Sequence, residues 1–169
     1  MTNNQSNLRE QLMQDYEPKF MEMAARLSEE NIDNDGGPFG AVIVKNGEVI
    51  ACGANRVTAS CDPTAHAEVS AIREACRKLG TFSLAGCVIY SSCEPCPMCL
   101  SAIYWAGIDK VFYGNTRLEA EAIDFSDKEI YDEIPLSPMS RRIPSVHVGN
   151  VLTMPAFVKW QNKADKTKY

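Results

Sequence analysis

The hydrophobic positions along this chain recur with two different periods, which predict helices alternating with strands. Residues 17–30 carry an apolar side chain every three or four positions, as on one face of a helix. Residues 41–45 and 48–52 are short apolar runs around Asn46-Gly47, a pair typical of a two-residue hairpin turn. The pattern therefore predicts a helix followed by a β-hairpin.

Beyond the hairpin, helical and strand patterns alternate. A helix is predicted from Asp62-Pro63-Thr64, where a capping residue precedes a proline, and a second helix from Pro97 towards Gly107. Strands are predicted at 88–90, 111–113 and near 146, with further helices at 118–123, 127–134 and from 155. A hairpin followed by strand–helix alternation predicts a three-layer α/β/α sandwich with a mixed central sheet.

Length and composition agree with one domain over residues 1–169. The chain has 45% hydrophobic residues and no apolar run long enough to cross a bilayer, so we expect a cytoplasmic protein without a membrane partner. The net charge of −5 argues against nucleic acid as the main partner. An odd number of cysteines, seven, argues against a disulfide framework. The polar residues 1–7 are expected to be frayed.

One set of residues carries distinctive metal chemistry. His66, Cys96 and Cys99 supply one imidazole and two thiolates, and Glu68 adds a carboxylate that is not needed as a ligand. Three protein ligands leave one coordination position of zinc open, as catalytic zinc sites require. Cys96 and Cys99 fall at a predicted helix N-terminus, which favours thiolates. A closed site that also uses Cys93, or ordinary buried cysteines as expected for 52, 76 and 87, are the alternatives.

Five stretches make a resemblance to a known family specific. The chain resembles the cytidine deaminase superfamily in residues 36–45, 62–69, 92–99, 102–106 and 111–113, which include His66-Ala67-Glu68 and Pro95-Cys96-Pro97-Met98-Cys99. Later stretches, at 125–127, 130–131, 142–144 and 168–169, resemble the bacterial guanine deaminases within that superfamily.

The resemblance assigns a role to each of nine residues. It implies that zinc is bound by His66, Cys96 and Cys99, that Glu68 moves protons, and that Asp127 helps to deliver a proton to the leaving amine. It also implies a purine-binding set that consists of Asn55, Phe39, Trp105 and Tyr169. Tyr169 would close the site of the partner subunit in a homodimer whose C-terminal segment, 145–169, is exchanged between subunits. His147 is expected to be structural or exposed.

The activity implied by the resemblance is hydrolytic deamination of guanine to xanthine and ammonia, with zinc as the sole cofactor. Deamination of guanosine or of another aminated heterocycle is the nearest alternative. Deamination of tRNA adenosine would require a more basic surface. A zinc-stabilised binding module without catalysis would have no use for Glu68.

Overall fold

A computed structural model describes residues 3–168 of the chain. Its elements group into two compact units, Met1–Ser126 and Asp127–Tyr169. In the first unit, the helices are α1 (Asn3–Leu12), α2 (Pro18–Ile32), α3 (Val57–Ser60), α4 (Ala67–Leu79), α5 (Pro97–Ala106) and α6 (Arg117–Glu121). Its strands are β1 (Gly40–Lys45), β2 (Glu48–Ala54), β3 (Cys87–Cys93) and β4 (Lys110–Asn115).

The four strands form one mixed sheet in the order β2-β1-β3-β4. Strand β1 is antiparallel to both β2 and β3, whereas β3 and β4 are parallel and α5 connects them. The hairpin turn lies at Asn46-Gly47, as expected, and both residues have positive φ, 52° and 76°. The register of β1 against β2 shifts between Ile43 and Val44.

The sheet is covered by helices on both faces because its central strands are apolar on both sides. Along β1, Ala41 and Ile43 pack in one hydrophobic cluster with α4 and α5, whereas Val42 and Val44 pack in another with α2. Successive side chains of a strand point to opposite faces, so this division follows directly from the run of apolar residues. The predicted three-layer sandwich with a mixed sheet is confirmed.

Helix α4 lies unusually close to strand β2. Its residues Ala67, Ala71 and Ala75 have no exposed surface and form a seam of small side chains towards the sheet. Opposite this seam, a Cβ atom on Gly53 would lie 2.2 Å from the Ala67 carbonyl oxygen. The absence of a side chain at Gly53 therefore permits the contact that positions the start of α4.

The second unit contains α7 (Lys128–Glu133), a 3₁₀-helix at Pro138–Ser140 and α8 (Met154–Asn162). Within it, the Arg141 guanidinium donates hydrogen bonds to the carbonyl oxygens of Glu133, Ile134 and Leu136, at and just beyond the end of α7. The strand expected near Val146 is not formed, and residues 144–149 have no regular structure.

Two other expectations about local structure were wrong. Residues 3–7, part of the stretch 1–7 that was expected to be frayed, belong to helix α1, and residues 1 and 2 lie outside the described residues. Cys52 is exposed rather than buried because β2 is an edge strand of the sheet, and Cys76 is only half-buried, whereas Cys87 is buried as expected. Among the described residues, no helix has the length and the apolar character that a bilayer crossing requires.

The close contact at Gly53 predicts a large effect of one added methyl group. Gly53→Ala should lower the free energy of unfolding by about 3 kcal/mol or more, because the new Cβ would meet backbone atoms of Ala67 and Ala71 that cannot move aside without shifting α4. Gly80→Ala is the matched control. A Cβ atom at position 80 would have no atom within 4 Å, so only the positive φ of 65° opposes the substitution. This backbone strain costs about 1 kcal/mol. Urea unfolding of the two variants measures the difference, and equal losses would contradict this account.

Candidate active site

His66 occupies the residue immediately before α4. Its backbone is extended, with φ −66° and ψ 160°, and its carbonyl oxygen accepts the first helical hydrogen bond, from the Ser70 amide. The helix therefore begins at Ala67, not at Asp62-Pro63-Thr64 as the sequence suggested. The earlier stretch forms a turn instead, because the Asp62 carboxylate accepts hydrogen bonds from both the amide and the hydroxyl of Thr64.

Cys96 occupies the equivalent position before α5. Its φ of −62° and ψ of 168° nearly repeat those of His66, and its carbonyl oxygen accepts from the Leu100 amide. Pro97 is the first helical residue, as predicted, and Cys99 follows in the first turn. Two helix N-termini thus carry the three candidate ligands.

The three side chains converge on one point. The Nδ1 atom of His66 lies 3.6 Å from Sγ of Cys96 and 3.4 Å from Sγ of Cys99. Among residues 3–168, these are the residues whose donor atoms form a group suited to a metal ion, with all three atoms within 4.8 Å of one another. Cys93 is outside this group, and its thiol faces the Thr116 carbonyl oxygen at 3.7 Å. The geometry therefore favours the three-ligand set over a closed site with Cys93.

The charges of the two cysteines fit a divalent cation. A hydrogen bond from the Cys99 thiol lowers the pKa of Cys96 to about 4, and contact with His66 acts in the same direction. That same hydrogen bond, together with burial, raises the pKa of Cys99. The pair thus retains one proton that a bound cation would displace, because thiolates rather than thiols bind metals. One imidazole and two thiolates are ligands that zinc accepts.

Glu68 lies beside this group, in the first turn of α4. Only 6% of the residue is exposed, and burial raises the pKa of its carboxyl group, although hydrogen bonds from neighbours oppose that effect. The Ser91 hydroxyl, on β3, donates to Oε1 of Glu68 at 3.1 Å. A carboxyl group that is held in place and destabilised as an anion suits proton transfer near neutral pH.

Asn55 and Phe39, two residues of the predicted purine-binding set, are adjacent. The Asn55 amide donates to the Phe39 carbonyl oxygen at 3.1 Å, and Asn55 is buried. The neighbouring Arg56 amide donates to the carbonyl oxygen of Ala65, which precedes His66. The Phe39 ring is half-buried and packs edge-on against Phe125, with 5.0 Å between centroids. Backbone hydrogen bonds therefore join Asn55 to Phe39, and join the next residue, Arg56, to the residue that precedes His66.

The remaining candidates are placed less decisively. Trp105 lies in the last turn of α5 with 72% of its surface exposed, and Asp127 precedes α7 in the second unit. Their roles stay predictions. Tyr169 lies outside the described residues. His147, which was expected to be either structural or exposed, is exposed.

Comparison with known proteins identifies the family of this fold and site. The model of the cytidine and deoxycytidylate deaminase zinc-binding region matches residues 14–115, which include all three candidate ligands. This chain belongs to the cytidine and deoxycytidylate deaminase family. The predicted membership, and zinc as the cofactor of its domain, are thereby confirmed.

Individual relatives of this deaminase match over more of its length. It is 49% identical over 151 residues to a guanine deaminase of Bacillus subtilis (strain 168), an alignment that covers 89% of this chain and 97% of the relative. The solved structure of a guanine deaminase from Bacillus subtilis superposes with a TM-score of 0.88 at 48% identity, and covers 91% of this chain and 99% of that one. A tRNA-specific adenosine deaminase of Agrobacterium fabrum is 44% identical over 77% of this chain and 82% of its own.

Two residues of the deaminase site escaped the sequence analysis. Ser91, which orients Glu68, is one of two polar residues at the end of the apolar strand before Cys93, and that break in pattern was an available signal. Asn31, near the end of α2, is a buried polar residue that hydrogen-bonds to the Asn55 carbonyl oxygen. No local pattern in the sequence marks it, because its partners lie 6 and 24 residues away.

The geometry of the deaminase predicts which cysteines retain the metal. Cys96→Ser and Cys99→Ser should each lose zinc, because a serine hydroxyl does not ionise to replace a thiolate ligand. Cys93→Ser is the matched control and should retain about one zinc per chain, as in the unmodified protein. Metal analysis of the purified variants measures this. Equal zinc loss in all three would indicate the closed site that includes Cys93.

Proposed function

We propose that this deaminase converts guanine and water to xanthine and ammonia. The observation that carries the proposal is the 49% identity to a guanine deaminase, which extends over 89% of the chain. The match is therefore not confined to the zinc-binding region at residues 14–115, which many deaminases have in common. The buried side-chain amide of Asn55, beside the half-buried ring of Phe39, adds support. A flat base needs both a polar partner and an apolar surface.

In this proposal, His66, Cys96 and Cys99 hold zinc. When bound, zinc would supply Lewis acidity and lower the pKa of a water molecule to about 7. The three ligands leave Glu68 available as an acid–base group. Asn55 and Phe39 bind and orient the base so that its C2 carbon faces the attacking water.

Glu68 serves as the proton carrier. Its carboxylate accepts a proton from the attacking water and delivers it to a ring nitrogen, N3, while the new bond forms between oxygen and C2. The bond between C2 and the amino nitrogen then breaks while the new hydroxyl group on C2 gives up its proton and becomes the carbonyl of xanthine. Asp127 helps to deliver this proton to the departing amine, which leaves as ammonia. Burial raises the pKa of Glu68 and so brings it closer to the pH at which it must both accept and release a proton.

We further propose that the active protein is a homodimer with an exchanged C-terminal segment, 145–169. The exposed apolar residues of this segment support it: Val148 is 92% exposed and Leu152 is 93% exposed, and Phe157 and Trp160 are also exposed. Apolar side chains in such density are expected to be covered by a second protein surface. The tail, with Tyr169, would then act on the site of the partner.

A cytoplasmic location is the remaining part of the proposal. All seven cysteines are free thiols, and two of them are candidate zinc ligands. Thiols in such numbers are typical of a reducing compartment.

A panel of substrates tests the proposed activity. Ammonia release should be faster by orders of magnitude for guanine than for adenine or cytosine, because a buried amide such as that of Asn55 rejects bases that leave it unpaired. Guanosine should react poorly if the tail occupies the space of a ribose. A tRNA substrate belongs in the panel because of the similarity to tRNA-specific adenosine deaminases.

Two variants serve as controls for this panel. Glu68→Gln should retain zinc and lose at least about 10²–10⁴-fold in turnover, the usual contribution of a proton-transfer group. Asp127→Asn should be impaired more in kcat than in binding. Comparable rates for Glu68→Gln and the unmodified protein would contradict the mechanism. A clear preference for guanosine or for tRNA would show that guanine is not the substrate.

Complementation tests the exchanged tail. A chain that lacks Lys168 and Tyr169 should be less active, and mixing it with the Glu68→Gln chain should restore activity, because an intact tail would then meet an intact zinc site. The matched control is a chain that carries both the truncation and Glu68→Gln. Mixed with either single variant, it should restore no activity. Verified heterodimers that never exceed the activity of their parents would show that the tail does not act on the partner.

A further inference from the structure

Asn31 is a buried polar residue outside the proposed catalytic set. It lies one residue before the end of α2 and is 4% exposed. Its side-chain nitrogen donates to the carbonyl oxygens of Gly37 and Asn55, each at 2.8 Å. A primary amide has two N–H groups, so both donors of Asn31 are used. One side chain thus joins the loop before β1 to the end of β2.

These bonds act on the backbone of two substrate-binding candidates. The Asn55 amide is bonded to the Phe39 carbonyl oxygen, and the Asn55 carbonyl oxygen is bonded to Asn31. Both backbone groups of Asn55 are therefore occupied, which fixes the direction in which its side chain leaves the main chain. Gly37, the other acceptor, lies two residues before Phe39, and its carbonyl oxygen also accepts a hydrogen bond from the backbone amide of Phe39 at 2.8 Å.

Gly36 and Gly37 pack tightly against the side chains of Asn31, Phe39 and Asn55. A Cβ atom on Gly36 would lie 2.1 Å from Nδ2 of Asn31. A Cβ atom on Gly37 would lie 3.3 Å from the Phe39 ring and 3.4 Å from the Asn55 side chain. The backbone of the loop is thus in direct contact with both asparagines, and little room remains for an alternative position of either.

We propose that Asn31 is a positioning residue that determines the affinity for the base and its discrimination without touching it. The inference rests on the proposed function, in which Asn55 and Phe39 bind guanine. Small displacements of substrate-binding groups are costly, because the reaction depends on the geometry in which the base is held. Asn31 acts through the position of Asn55, so its effect should depend on the Asn55 side chain.

Asn31→Asp is the sharpest substitution, because it keeps the size of the side chain and replaces the donating nitrogen with an acceptor. We expect kcat/KM for guanine to fall by about 10- to 100-fold, mainly through a higher KM, with zinc content unchanged. Asn34→Asp is the matched control. It makes the same change of charge three residues away, where the exposed Asn34 side chain caps only the Glu30 carbonyl oxygen, and it should leave kcat/KM unchanged. Asn31→Ala replaces Asn31→Asp if the buried carboxylate prevents folding.

A double-mutant cycle separates positioning from general stabilisation. In an Asn55→Ala background, Asn31→Asp should change kcat/KM by less than about threefold, because the group that it positions is gone. A loss that multiplies fully with that of Asn55→Ala would overturn the inference. Unmodified protein without activity on guanine would instead overturn the proposed function.

Hydrogen exchange supplies a readout that does not depend on activity. In Asn31→Asp, the Asn55 amide should exchange at least about tenfold faster, whereas the amide of Ile89 in the middle of β3 should change much less. Equal acceleration at both positions would show that Asn31 contributes only to global stability, and would overturn the inference even for an active enzyme.

Discussion

The close packing of α4 against β2 is the constraint on which the rest of the site depends. Gly53 has no side chain, and Ala67, Ala71 and Ala75 have small ones, so helix and strand approach until a Cβ atom would overlap a backbone carbonyl. This contact positions the start of α4, where His66 and Glu68 lie. A helix held by larger side chains would sit further from the sheet, and its first residues would not meet Cys96 and Cys99 at the start of α5.

The site separates two tasks between residues that are neighbours in the chain. His66 lies just before the helix, where its ring faces the thiols of Cys96 and Cys99, whereas Glu68 lies inside the first turn and faces Ser91 on β3. The first set has the negative charge that a cation requires. The second has a buried carboxyl group whose pKa is raised by desolvation and which is not one of the three candidate ligands, although it hydrogen-bonds to Cys99. His66 and Glu68 are only two positions apart, and this spacing at the start of a helix is enough to direct their side chains to different partners.

Most of the layers of the fold could be predicted from local patterns, and the failures have a common cause. Asn46-Gly47, Pro97 and the apolar runs of β1 and β3 are signals whose physics is local, and the structure agrees with them. The start of α4 was misplaced because the Asp62 side chain bonds to Thr64 and forms a turn where a helix cap was expected. Val146 has a strand-like pattern but pairs with no strand of the described chain, because a strand requires a partner that local sequence does not specify.

The sequence by itself determined the chemistry, because the identity and spacing of His66, Glu68, Cys96 and Cys99 specify a donor set and a separate carboxyl group without reference to distance. It also determined the family, since those residues lie within the matching region. Only the tertiary structure decided that Cys93 lies outside the donor group, that Ser91 orients Glu68, and that Asn31 joins two segments around Asn55. These are contacts between residues distant in the chain, and the packing of helices on the sheet, not any local pattern, brings them together.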